Sequence, residues 1–212
     1  MATRPDGGEI ESITPLRRGW ASVSAGGETF IVPVSILRRM GVVEGMEADI
    51  RALRDQALKA QREAAARDSA RFLGMAERSV ARLRSHLLRR GYSPCVVEAE
   101  IERDIAAGWV DDARFARIWA ASRPGRGTAA LRSGLAARGV TGDAARAALD
   151  PVDEDAEAES LVEMVRRRYG SLDGRVALRR AVGFLRRRGF SVAVSLRIAR
   201  RALAGDGGHG GR

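Results

Sequence analysis

Three segments of this chain carry one pattern at nearly one interval. Leu83-xxx-Leu87-xxx-Gly91-Tyr92-Ser93 matches Leu131-xxx-Leu135-xxx-Gly139-Val140-Thr141, and again Ala181-xxx-Leu185-xxx-Gly189-Phe190-Ser191, with the glycines 48 and 50 residues apart. A single match of this kind means little, whereas three at one interval mean an internal repeat. Each position has a physical task. Apolar residues four apart share a helix face. Glycine takes the left-handed conformation that ends that helix, and the apolar residue after it covers the helix end. Serine or threonine, a preferred N-cap, then starts a second helix at once. Second helices are expected over residues 94–106, 142–149 and 192–203. Gly108-Trp109-Val110-Asp111 makes a further stop and cap before a third helix over residues 112–122. Asp150-Pro151 and the acidic start Asp153-Glu154-Asp155 lead into a long third helix that ends near Tyr169.

The expected fold is mainly α: tandem three-helix, helix-turn-helix-like repeats forming an elongated, curved array, because adjacent repeats in such proteins chiefly touch their neighbours. A small N-terminal β-hairpin/α module precedes it. Residues 9–14 have strand character, and residues 20–24 and 28–32 flank the turn Ala25-Gly26-Gly27, which reads as a hairpin closed by Pro33. A short helix over residues 35–40 stops at Gly41, and residues 42–46 lead into a second helix. The expected division is residues 1–46 for this module, 47–66 for an exposed connecting helix, and 67–123, 124–170 and 171–204 for repeats one to three, the last incomplete. Residues 205–212, rich in glycine, read as a flexible tail.

Charge is unevenly placed. The chain of 212 residues carries a formal net charge of +10. Residues 1–66 hold nine basic and nine acidic side chains, so the 28 basic and 18 acidic ones that follow contain the whole excess. Of the 37 cations all but Lys59 are arginine. From Arg166 to Leu203 there are twelve arginines and one acid, Asp173, whereas residues 150–163 carry seven acids and no base. Such an excess fits a polyanionic partner, since cationic side chains release condensed counterions from phosphates. Contact with phosphate, contact with an acidic protein groove and pairing with the acidic segment all remain open. Tyr92, Phe115, Phe184 and Phe190 sit at repeat-core positions, which leaves few aromatics for base stacking.

The residues that catalysis would need are scarce. One lysine rules out a Walker A sequence, and no GxGxxG follows a strand. Cys95 and His86 alone make no zinc set. Cys95 reads as a small core hydrophobe in a reducing compartment and His86 as a half-exposed polar residue among Arg82, Arg89 and Arg90. Asp111-Asp112 reads as an N-cap and a first-turn carboxylate, not as a catalytic dyad. A non-enzymatic, cytoplasmic, monomeric protein without cofactor or metal is expected. No apolar run reaches membrane-spanning length, and the N-terminus lacks an apolar signal core.

The repeat, together with Gly108-Trp109-Val110-Asp111-Asp112-Ala113-Arg114-Phe115-Ala116, resembles the RecX family of bacterial RecA regulators over roughly residues 70–203. The resemblance implies binding to the filament of RecA on single-stranded DNA, in its groove or at its end. It also implies inhibition of recombinase, ATPase and co-protease activities, and hence an influence on homologous recombination and the SOS response. Ala181 in place of a large apolar residue, and Gly134 with Ala136-Ala137, depart from the pattern in ways that bear on the packing of repeats two and three. The candidate contacts to RecA or DNA are Arg89, Arg90, Arg123, Arg126, Arg186, Arg187 and Arg188. Gly108, Trp109, Asp111, Asp112, Arg114 and Phe115 set the motif's helix start. Non-specific contact with double-stranded DNA is an additional expectation. Two other readings stand beside this one: a double-stranded-DNA repressor reading with a helix-turn-helix over residues 185–203 and Arg197 on its recognition helix, and an adaptor that binds an acidic protein alone.

Overall fold

The computed structural model describes residues 7–204; the tail expected over residues 205–212 lies outside them. The chain divides into two compact units, Met1–Val110 and Asp111–Arg212.

The first unit opens with strands β1 (Gly7–Pro15), β2 (Trp20–Ala25) and β3 (Glu28–Pro33), helix α1 (Val34–Met40) and a short strand β4 (Glu47–Asp49). These form an antiparallel sheet of order β3-β2-β1-β4. Gly26 and Gly27 have φ of 59° and 74°, the paired positive values that a tight hairpin turn between β2 and β3 needs. Along β2 the side chains alternate, with Ala21, Val23 and Ala25 buried against Ile10, Val32, Ile36, Leu37 and Leu53. The sequence reading extends a helix from residue 47. In the structure Glu47–Asp49 instead form a strand paired with Gly7–Glu9, and the helix begins at Ile50.

Asp49 then caps α2 (Ile50–Met75) by accepting from the Ala52 amide at 2.8 Å. The segment expected as an exposed connector to residue 66 is longer and buried along one side. Leu53, Ala57, Gln61, Ala65 and Ser69 are all buried. Steps of four residues overshoot a helical turn by about 40° each, so this stripe winds around the helix. Its first part faces the sheet core, and Ala65 faces the first repeat. The stripe escapes a hydropathy reading because most of it is small or polar. Gln61 donates to the Ile31 carbonyl at 2.8 Å and accepts from the Ser93 amide at 2.9 Å, joining β3 to the first repeat.

That repeat continues with α3 (Val80–Arg89) and α4 (Pro94–Ala106). Leu83, Leu87, Tyr92, Val96, Val97 and Ile101 close its core with Ala65 and Val110, and each fully buried leucine stabilises by roughly 2–3 kcal/mol. Trp20 meets Tyr92 edge to face at 5.8 Å. Ser69 donates to the fully buried Asp104 at 2.5 Å, tying α2 to α4. Cys95, expected in the core, is exposed, because the buried face of α4 begins with Val96 and Val97.

The second unit holds α5 (Asp112–Ala121), α6 (Thr128–Ala136), α7 (Gly142–Leu149), α8 (Glu154–Glu159), α9 (Val162–Tyr169), α10 (Gly174–Arg187) and α11 (Val192–Leu203). Gly91, Gly139 and Gly189 have φ of 92°, 78° and 93°. The expected helix-turn-helix pairs are therefore α3–α4, α6–α7 and α10–α11. Of the expected caps, Ser191 accepts from the Val194 amide at 3.2 Å, whereas Ser93 and Thr141 occupy the N-cap position without a side-chain cap bond. The long helix expected to end at Tyr169 is broken between α8 and α9, where the Ser160 hydroxyl donates to the Glu157 carbonyl at 2.7 Å and bends the chain.

Packing groups these helices one step out of phase with the sequence repeat. Phe115, Ala116 and Ala120 of α5 share a core with Leu131 and Leu135 of α6 and Ala148 and Leu149 of α7. Likewise α8 and α9 share theirs with α10 and α11. Each helix-turn-helix pair is closed by the helix before it, so the third set has its full complement of helices.

Candidate macromolecular interface

The Gly108 motif is structural in its geometry. Gly108 has φ of 72°, the Trp109 amide donates to the Asp104 carbonyl at 2.9 Å, and Val110 is buried. Asp111 caps α5, accepting from the Ala113 and Arg114 amides at 2.7 and 3.1 Å. The Arg114 amide, with that of Ala113, holds the Asp111 carboxyl below the usual carboxylate range against the opposing effect of burial. Asp112 lies in the first turn, Arg114 is half-buried, and Phe115 is in the core. Trp109 is 54% exposed. His86 stacks on Phe72 with ring centroids 4.0 Å apart, and burial, then the Arg90 charge, lowers its pKa. Among the described residues, no group of three or more His, Cys, Asp or Glu could hold a metal ion.

The candidate arginines fall into two sets. Arg89 in the last turn of α3, Arg126 before α6, and Arg186 and Arg187 at the end of α10 are exposed. The others have internal partners. Arg90 donates to Asp68 at 2.6 Å, beside the Tyr92 hydroxyl, which donates to the other oxygen of the same carboxylate at 2.7 Å. Arg188 donates to the Gly125 carbonyl at 3.1 Å and lies 4.8 Å over the Phe184 ring. Arg123 donates to the Trp119 carbonyl at 2.8 Å and to Ser122 at 2.6 Å, and lies 3.9 Å over the Trp119 ring.

The acidic segment pairs within its own unit. Arg197 pairs with Asp155, and Arg201 with Glu159 at 3.1 Å. Glu157 accepts from the Gly125 amide at 2.5 Å. Glu154 accepts from both the amide and the hydroxyl of Thr128, at 2.9 and 2.6 Å. Burial opposes its charge, but these bonds outweigh it and hold the carboxyl below the usual range. This carboxylate thus serves the first residue of α6. At the same helix start the Gly127 amide donates to the Arg188 carbonyl at 3.0 Å and the Ala129 amide to the Gly189 carbonyl at 3.3 Å. Unpaired amides at the start of α6 thereby meet unpaired carbonyls at the end of α10.

Trp119 and Arg138 were not singled out in the sequence. The Trp119 indole seats on Gly134, where a Cβ would come within 2.2 Å of the ring, and Arg138 lies 4.6 Å over it. Gly134, a weak spot by helix propensity, is the space this ring occupies. The visible signal is a tryptophan with arginine four residues after it and glycine at the matching place in the next helix.

Fold and surface define a basic protein of tandem three-helix repeats with exposed arginines in the last turn of α3, before α6 and at the end of α10. The chain is 40% identical over 143 residues to the regulatory protein RecX of Thermobifida fusca, covering 65% of this chain and 77% of that protein. It is 36% identical over 143 residues to that of Mycobacterium avium, covering 64% and 83%. A crystal structure of regulatory protein RecX shares the fold at TM-score 0.65 and 21% identity, covering 90% of this chain and 98% of that one. RecX from Lactobacillus salivarius does so at TM-score 0.63 and 15% identity, covering 68% and 97%. No family model matches. This chain belongs to the RecX family of regulatory proteins.

Proposed function

We propose that this protein regulates RecA by binding the filament that RecA forms on single-stranded DNA, in its groove or at its end, and so restrains recombination, ATP hydrolysis and co-protease activity, with consequences for the SOS response. The observation that carries this reading is the set of exposed arginines that remains after the acidic segment has been matched internally. Arg89, Arg126, Arg186 and Arg187 lie on successive repeats, so one molecule presents repeated cationic contacts to a repeating polyanionic or acidic partner, and such contacts reinforce one another. Arginine suits either surface, because its planar fork bonds carboxylate and phosphate alike. The repressor reading is weakened at its recognition helix, where Arg197 pairs with Asp155. No helix among the described residues is long and apolar enough to cross a membrane. Purified protein added below the RecA concentration is expected to slow single-stranded-DNA-dependent ATP hydrolysis by RecA. An unchanged rate across a full titration defeats the proposal. A strong site preference in footprinting on random duplex DNA favours the repressor.

A further inference from the structure

Trp119, packed against the core shared by α5, α6 and α7, carries two arginines over its ring. Arg123 and Arg138 lie 3.9 and 4.6 Å over the indole, and each is fixed by a second bond, Arg123 to the Trp119 carbonyl and Arg138 to the Gly134 carbonyl, both at 2.8 Å. Beside them opens a cavity of about 230 Å³ lined by Trp119, Arg123, Arg126, Ala130 and Leu131. A neighbouring cavity of about 370 Å³ shares Arg123, Arg126 and Leu131. We propose that this cavity takes an unpaired base of a single-stranded nucleic acid, stacked on the guanidinium–indole platform, while the exposed Arg126 meets an adjacent phosphate. The proposal rests on the reading that the protein touches the DNA of the filament, and it names where.

Bases stack on arginine planes and on aromatic rings alike, and such stacking tolerates any sequence because every base has a π face. A guanidinium already held over an indole gives up little further freedom when a base arrives. Ala130 and Leu131 add an apolar border suited to a flat ring. An acidic peptide would use the arginine charges but leave the platform without a planar partner.

The test is direct binding by the full chain, without RecA, to a labelled thymidine oligonucleotide of about 15 residues and to an abasic phosphodiester of the same length. Trp119→Leu is expected to weaken thymidine binding at least about fivefold and to change abasic binding by less than about twofold. Arg123→Lys, which keeps the charge and the fold but not the plane, should also lower the preference for thymidine over abasic strand. With Trp20→Phe and Trp109→Phe in place, Trp119 fluorescence should respond to thymidine and not to polyglutamate. Equal losses for both strands, or no loss for either, overturn the proposal, as does a response to polyglutamate that matches the response to thymidine. These outcomes are independent of the RecA assay: base-dependent binding without an effect on RecA hydrolysis refutes the function and keeps the site, and the converse refutes the site alone.

Discussion

Glu154 shows how much one side chain in the second unit carries. Its hydrogen bonds with the amide and the hydroxyl of Thr128 place its charge at the start of α6, where carboxylates are favoured. The folded carboxyl titrates below its unfolded value, so the stability it contributes is present above the unfolded pKa of about 4.3 and is lost as pH falls through the folded one. The group is half-buried and partly screened, so Glu154→Gln should destabilise by roughly 1 kcal/mol at neutral pH. The difference from the parent should shrink towards zero near pH 3, read as urea midpoints, and a pH-independent difference would contradict this account. An acidic helix start at residues 153–155 was plain in the sequence. That Glu154 reaches Thr128 was not, since residues 26 positions apart meet only when the helices pack.

Among the elements, α6 and α10 meet through glycine. A Cβ at Gly127 would stand 2.3 Å from the Gly189 backbone, and one at Gly189 would stand 2.3 Å from the Ala130 amide. Gly189 has two reasons to be glycine, its φ of 93° and this close approach, and the repeat pattern announces only the first. Gly127→Ala should part the two helix ends and cost about 2–4 kcal/mol, visible as a lower melting temperature with helix content retained in the native state. A melting temperature equal to the parent's would show that the joint yields without strain. Helix existence was legible wherever leucines recur at four and glycine follows, as at Leu83 and Leu87 or Leu131 and Leu135. The buried face of α2 was not, because Ala57, Gln61, Ala65 and Ser69 carry no hydrophobic signal, and β4 was not, because three residues of strand are defined only by pairing with Gly7–Glu9.

At the scale of the whole molecule the relevant quantity is the charge left after internal pairing. Arg186→Ala with Arg187→Ala should weaken binding to the RecA filament on single-stranded DNA and, where phosphate is the contact, reduce the slope of log affinity against log salt by about 2. Stability should stay within about 0.5 kcal/mol of the parent, because both side chains are exposed. Unchanged affinity would move the contact to Arg126 and its loop. The repeat, the helix stops and starts, the sign of the charge and its concentration in the helical part were all legible in the chain, since each depends on residue type and on spacings within a turn or two of helix. Packing settles which helix closes each core, that Arg90, Arg188 and Arg197 have internal partners while Arg186 and Arg187 are exposed, and that Gly134 makes room for Trp119. Those outcomes depend on which distant segments share a surface, and burial, pairing and close approach are properties of that shared surface.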